Sequence, residues 1–210
     1  RFSLVVSRQP DSCGKCHMGP DHPQKEIYEE SKHGIAFKAF KEDMRLDAQP
    51  WRAGIEYSAA PTCATCHMSA TEELPVTHDV GTRISWNLRP PISEKIDAKA
   101  IKAGEQVVPW EERRKKMKVV CKKCHAENYV NGFYLQFDSA INLYNEKFGK
   151  PATSIIKMMK AGGVLTATNF DEELEWTYFY LWHHEGRRAR HGASMMAPDY
   201  TQWHGFFEVA

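Results

Sequence analysis

The sequence predicts a mostly α fold, with loop-borne attachment sites in its first part and long helices towards its C-terminus. Three observations predict it. Apolar residues recur at helical spacing through Phe133, Phe137, Ile141, Leu143 and Tyr144, and an aromatic run at 176–182 precedes a basic stretch. No segment alternates apolar and polar residues at the period of a strand. All six cysteines fall in three Cys-x-x-Cys-His units, the first in a loop-rich opening bounded by Pro10, Pro20 and Pro23.

In Cys-x-x-Cys-His the two thiols form thioethers with the haem vinyl groups, and the adjacent imidazole takes the proximal side of the iron. Cys13, Cys16 and His17 make the first such site, Cys63, Cys66 and His67 the second, and Cys121, Cys124 and His125 the third. Zinc accepts paired Cys-x-x-Cys but does not require a histidine directly after each pair. A redox dithiol does not come in triplicate. No thiol remains for a disulfide framework or a catalytic nucleophile. The fold class is therefore a mostly α multihaem cytochrome c, with three covalent haem c groups on this chain.

At 210 residues the chain is long enough for one large domain or two small ones. Residues 1–92 carry two motifs, and residues 93–210 carry the third with the helical remainder. We expect these to form one continuous multihaem domain of a longer chain. The balance of 28 Lys and Arg against 27 Asp and Glu gives no support to a nucleic-acid partner. No apolar run approaches the ~20 residues of a membrane span. Haem propionates add negative charge, so many basic residues are expected as their internal partners. Covalent c-type haem is attached outside the cytoplasm, which predicts an extracytoplasmic location. Residues 1–7 lack signal-peptide architecture and residues 206–210 end without a helix-stopping signal, so we expect a mature form or a segment of something longer.

In chain order, Gln24 to about Ala48 reads as a helix with Ile27, Phe37, Phe40 and Met44 in its buried stripe, ended by Pro50. Gly34 within it predicts a break or a close approach to a flat group. His33 beside it is either a distal haem ligand or an exposed helix histidine. His78 sits in a polar turn, as a ligand or as a surface residue, with Asp79 placed to orient a ring nitrogen. Residues 83–91 are irregular because of Pro90-Pro91. A short helix follows over 93–104, and Pro109 breaks the chain.

Glu111-Glu112-Arg113-Arg114-Lys115-Lys116 opens the next helix with acids first and bases later, which suits the helix dipole and reads as a solvated face. A helix over 128–148 is closed by Gly149-Lys150-Pro151. Another runs over 152–160 and ends at Gly162-Gly163. The last long helix is expected to start near Asn169, with Glu172 completing a capping-box arrangement, and to run to His191. His184 and His191 share a face of it. Arg187, Arg188 and Arg190 suit pairing with carboxylates. Met195 and Met196 are ligands or core fillers. Of the ten histidines, three are proximal, and His22, His33, His78, His183, His184, His191 and His204 exceed what three haems need.

Cys13-Gly-Lys-Cys-His-Met-Gly-Pro-Asp-His-Pro-Gln24, Ser31-Lys-His-Gly-Ile-Ala-Phe37, Thr77-His-Asp-Val-Gly81 and His184-Glu-Gly-Arg-Arg-Ala-Arg-His-Gly192 resemble the octahaem hydroxylamine oxidoreductases. That group includes the hydrazine dehydrogenases of anaerobic ammonium oxidisers. The resemblance spans essentially the whole chain and implies a segment carrying the last three attachment motifs, with the catalytic haem's own motif upstream.

It further implies a homotrimer of mostly helical subunits, with bis-histidine electron-transfer haems around one special haem that has an open distal position. A tyrosine of the neighbouring subunit is bonded covalently to that porphyrin. In Met195-Met196-Ala-Pro-Asp-Tyr200 the matching residue is Tyr200, which on residue type alone is a buried aromatic after a turn. In this family the cross-link accompanies oxidative chemistry.

Asp21 and His22 match the distal-pocket acid and histidine, which take up the protons released by substrate oxidation. An axial-ligand role for His22 is the competing reading. His33, His78, His184, His191 and His204 match the distal ligands. His183 has no clear counterpart. The implied function is oxidation of hydroxylamine, or of hydrazine, with electrons passed to a soluble cytochrome c. The implied place is the periplasm or the anammoxosome lumen. The alternatives are a non-catalytic trihaem electron carrier and a reductive, nitrite-reducing relative.

Overall fold

Proline, glycine and serine punctuate the first third of the chain, and its helices are accordingly short. The computed structural model describes residues 3–210; residues 1 and 2, the start of the stretch read as lacking a leader, lie outside the described residues. Helices α1 (Leu4–Arg8) and α2 (Pro10–Gly14) lead to the first motif, and α3 (Gln24–Glu30), α4 (Lys32–Ala39) and a 3-10 turn (Lys41–Met44) follow it. The single helix expected over 24–48 is thus divided, and it ends well before Pro50.

The break is at Ser31 and not at Gly34. Ser31 is extended (φ −71°, ψ 158°), its hydroxyl donates to the Tyr28 carbonyl at 2.7 Å, and it accepts the Gly34 N–H at 3.2 Å. That is an N-cap, and it starts α4. Gly34 lies inside α4, where a Cβ would fall 1.9 Å from the Tyr28 carbonyl oxygen. The close approach foreseen there is to backbone.

Helix α5 (Cys63–His67) is the second motif itself, opened by a Thr62/Thr65 capping box. A 3-10 turn (Val80–Arg83) leads to β1 (Trp86–Asn87), which pairs antiparallel with β2 (Glu94–Lys95) and places Trp86 opposite Lys95. After α6 (Ala98–Lys102) comes α7 (Trp110–Cys121), whose C-terminus delivers the third motif. Arg114 belongs to the supposed solvated face, yet it is buried. Its guanidinium makes two 2.7 Å bonds to Asp138 and lies over the rings of Trp110 and Tyr134.

Helix α8 (Glu127–Tyr144) continues through a π turn (Asn145–Gly149) into α9 (Lys150–Ala161). The rod is unbroken where a stop was expected, because the wide turn accommodates the N–H that Pro151 lacks. Similarly α10 (Glu173–Phe179) passes through a second π turn (Tyr180–Glu185) into α11 (Gly186–Ser194). It starts at Glu173 and not near Asn169. Asn169 accepts a hydrogen bond from Lys160, and Glu172 accepts one from the Thr166 backbone N–H at 2.7 Å. Helix α12 (Pro198–Thr201), a third π turn (Gln202–Phe206) and α13 (Phe207–Val209) complete the chain.

Among the described residues, three apolar clusters form the interior: Tyr28, Met44, Trp51 and Tyr57 near the first two motifs; Trp86 against Val130, Phe137 and Ile141 of α8; and Ile27, Ala197 and Tyr200 where α3 meets α12. Met195 packs against the first and third as core filling. Arg190 ties the later helices to the Pro90-Pro91 segment. It is 0% exposed, stacks 4.1 Å over Tyr144, and donates to the carbonyls of Gly186, Pro90 and Trp182 and to Ser93 Oγ, each at 2.7 Å. Its partners are therefore backbone carbonyls and a hydroxyl, not the carboxylates its residue type suggested.

Candidate functional site

Each attachment motif is wound as about one helical turn. His17 and His125 donate their backbone N–H to the carbonyls of Cys13 and Cys121, both at 3.0 Å, and Cys63–His67 are all within α5. That winding brings each first cysteine, second cysteine and histidine onto one side. All six thiols are free of disulfides.

The three motifs lie close together, with α5 packed against α2 and α7. The nearness of the Cys13 thiol, then burial, raises the Cys63 thiol, and the same nearness lowers Cys13. Burial, reinforced by Cys121 and Cys124 nearby, pushes Cys66 up to about 12. Haems bound at these sites would therefore be near neighbours, as electron transfer between them requires.

Whether the histidines fit haem iron is tested by one pair. The rings of His33 and His125 have centroids 6.1 Å apart at a 46° tilt. Two imidazoles on opposite sides of one metal, each bonded at about 2 Å, have centroids roughly 6 Å apart. Burial, then the nearness of His125, lowers the His33 pKa and favours the neutral form that ligates metal. His125 is backed by Tyr129, stacked at 4.8 Å. The residues fit a bis-histidine haem attached through Cys121 and Cys124, with His33 as its second ligand.

His67 also fits a ligand. Burial lowers its pKa, and its Nδ1 is buried with no protein partner. His191, 7% exposed on α11, is held neutral by burial and by Arg190 and Arg187, with a pKa of about 3. His184 lies among Phe179, Tyr180 and His183. His204 sits 4.8 Å from the Tyr200 ring and 3.9 Å from Glu30. His78 is exposed, and Asp79 does not orient it: its carboxylate accepts the Gly81 N–H at 2.9 Å and caps the 3-10 turn.

Beyond the first motif, Asp21 Oδ2 lies 2.8 Å from His22 Nδ1. Arg187 approaches the same carboxylate oxygen at 3.8 Å and donates to the Asp21 carbonyl at 3.4 Å. Burial works against the Asp21 charge, but the His22 hydrogen bond and the charges of His22 and His183 outweigh it and hold its pKa below the usual range.

His183, one of the seven spare histidines, has a setting that the sequence alone did not show. Burial and Arg187 bring it down to about 4, and it stacks on Phe179 at 4.3 Å with its Nδ1 buried and unpartnered. The π turn over 180–185 is the reason. It shifts the helix face relative to α period, so a projection that joins His184 to His191 misplaces the residues before Gly186.

Tyr200 is 6% exposed and packs on Ile27 and Ala197. Burial pushes its phenol up to about 12. Among the described residues, no group bonds its hydroxyl. No described helix is long and apolar enough to cross a membrane.

A family described as "Seven times multi-haem cytochrome CxxCH" matches residues 1–172. A probable nitrite reductase-hydroxylamine oxidoreductase fusion protein of Kuenenia stuttgartiensis is 32% identical in an alignment of 147 residues that covers 62% of this chain and 17% of that protein. Among solved structures, a hypothetical multiheme protein superposes with a TM-score of 0.84 at 23% identity, covering 99% of this chain and 53% of its own. A chain of a reducing HAO-like protein complex of Kuenenia stuttgartiensis does so with a TM-score of 0.69 at 21% identity, over 99% and 54%. The chain thus spans about half the length of these two structures and a smaller share of the fusion protein.

Proposed function

The chain belongs to the seven-times multihaem cytochrome CxxCH family, and on that premise we propose that it is part of an enzyme that oxidises hydroxylamine, with hydrazine as the close second. The observation that carries this reading is the 2.8 Å bond between Asp21 and His22 Nδ1. Haem supplies the iron that takes substrate and the route by which electrons leave. Each electron withdrawn from an N–H or O–H compound frees a proton, and something near neutral pH must take it. His22, with Nδ1 held by the carboxylate, leaves Nε2 as the acceptor. Asp21 stabilises the imidazolium that forms, and Arg187 holds the segment in place from α11.

Haems held by Cys13/Cys16, Cys63/Cys66 and Cys121/Cys124 would supply the route for those electrons to a soluble cytochrome c. His33, His78, His184, His191 and His204 are the proposed distal ligands. The assembly is a homotrimer in which Tyr200 bonds a neighbour's haem, placed in the periplasm or the anammoxosome lumen. The unbonded hydroxyl of Tyr200 supports that bond. The choice of hydroxylamine as substrate is supported by the relative whose name couples nitrite reduction to hydroxylamine oxidation.

A second reading, reduction of nitrite or simple electron carriage, is favoured by the 6% exposure of Tyr200, whose ring is packed within its own chain. Mass spectrometry of the Tyr200 peptide from natively purified protein separates the two. A haem-bearing adduct supports the oxidase. An unmodified mass assigns the protein to reduction or electron transfer.

A further inference from the structure

Gln24 is the first residue of α3, two positions after His22, whose carbonyl its backbone N–H meets at 2.8 Å. Its side chain crosses to α11 and ends with the amide nitrogen 3.2 Å from His191 Nδ1. The other end of the amide, Oε1, is buried and has no protein partner. An imidazole that binds iron through one ring nitrogen carries its proton on the other. The hydrogen bond that proton makes fixes both tautomer and orientation. The charges felt by His191 come from Arg190, Arg187, His22 and Arg89, all of them cationic when protonated. The Gln24 amide is therefore the group placed to accept at Nδ1.

A glutamine carries an acceptor and a donor at the two ends of one planar group, exchanged by a half turn about its last torsion. With the nitrogen towards Nδ1, His191 keeps its proton on Nε2 and is closed to a metal. With the oxygen towards Nδ1–H, Nε2 is free. We propose that Gln24 is a positioning residue for His191: its carbonyl accepts the Nδ1 proton, presents Nε2 to a haem iron, and sets the potential of that haem. A stronger acceptor makes the imidazole a better electron donor to iron and favours the ferric state; a lost acceptor does the opposite. The proposal rests on the reading of His191 as a haem ligand.

The test uses the full-length, haem-loaded protein with the Gln24→Leu and Gln24→Glu variants, by redox titration and by electron paramagnetic resonance of the oxidised form. Haem content is checked by pyridine haemochrome. One haem is expected to move to a higher midpoint potential in Gln24→Leu and to a lower one in Gln24→Glu, with altered g-values for that haem alone. Unchanged potentials and g-values in both variants, or a shift of the same sign in both, would overturn the proposal. If the leucine variant fails to load haem, Gln24→Glu decides by itself: a downward shift supports the proposal and no shift overturns it. His191→Gly separates the two levels. A low-spin haem turned high-spin upholds His191 as a ligand, so that an inert Gln24 is the failure of this inference alone. An unchanged spin state removes the ligand reading and the inference with it.

Discussion

His33 on α4 faces His125 of the third motif, ring centroid to ring centroid at 6.1 Å. The two come from distant parts of the sequence, and their spacing suits one metal between them. His33→Gly should leave haem content unchanged and convert one haem from six-coordinate low-spin to high-spin. The expected signs are a weakened low-spin electron paramagnetic resonance signal and a new high-spin one near g = 6, reversed by added imidazole. A spectrum identical to that of the parent protein would remove His33 from the iron.

The acid–histidine pair predicts a catalytic effect. Asp21→Asn keeps the size of the side chain but loses the charge that stabilises the His22 imidazolium. Steady-state hydroxylamine oxidation should fall roughly 100-fold or more, as expected for a lost general-base contribution, with little change in KM and intact haem spectra. A loss confined to KM would mean that Asp21 binds substrate and has no part in proton uptake.

How much of this was legible in the sequence depended on the range of the interaction. The three motifs, the helix opened by Glu111-Glu112 and the helix over most of 128–148 follow from local spacing, and the structure contains them; that the last continues through Gly149-Lys150-Pro151 does not. The pairing of His33 with His125 needs tertiary contact and has no local signal. The Gly34 close approach was readable, but the break belongs to Ser31, because an N-cap hydroxyl ends one helix and begins the next more decisively than a glycine does. The sequence counts His183 among the spare histidines but places it on no face, because faces drawn at α period fail at the π turn over 180–185. Arg114 and Arg190 were read as surface or carboxylate-binding groups. Nothing in a run of basic residues tells which one turns inward.

Arg114 and Asp138 predict a stability effect with a defined pH window. Burial opposes the Asp138 charge, but hydrogen bonds from Arg114 and Trp86 outweigh it and bring its pKa to about 2. In the unfolded chain an aspartate titrates near ~4. The ion pair therefore stabilises fully above about pH 4, and its contribution is lost as pH falls from ~4 towards ~2. Acid unfolding followed by circular dichroism should show a steep loss in that window, less steep in Asp138→Asn. Arg114→Met leaves the Asp138 carboxylate without its main partner and should cost roughly 3 kcal/mol at neutral pH.

Arg190 gives the last prediction, because its role rests on shape as well as charge. Four acceptors converge on one guanidinium, and its flat face lies on Tyr144. Lysine keeps the charge but presents a single ammonium. It lacks the planar face and the forked donors needed to reach Gly186, Pro90, Ser93 and Trp182 together. At least one buried acceptor is left unmet, at about 1–3 kcal/mol, and the stacking is lost as well. For a chain of this size each kcal/mol is worth roughly 2–4 °C in Tm, so Arg190→Lys should lower Tm by about 5–10 °C. The neighbouring His191 should be disturbed with it, visible as heterogeneity in one low-spin haem signal. A lysine variant with parental Tm would show that charge alone holds α11 to the Pro90-Pro91 segment, and that the fourfold hydrogen bonding is dispensable.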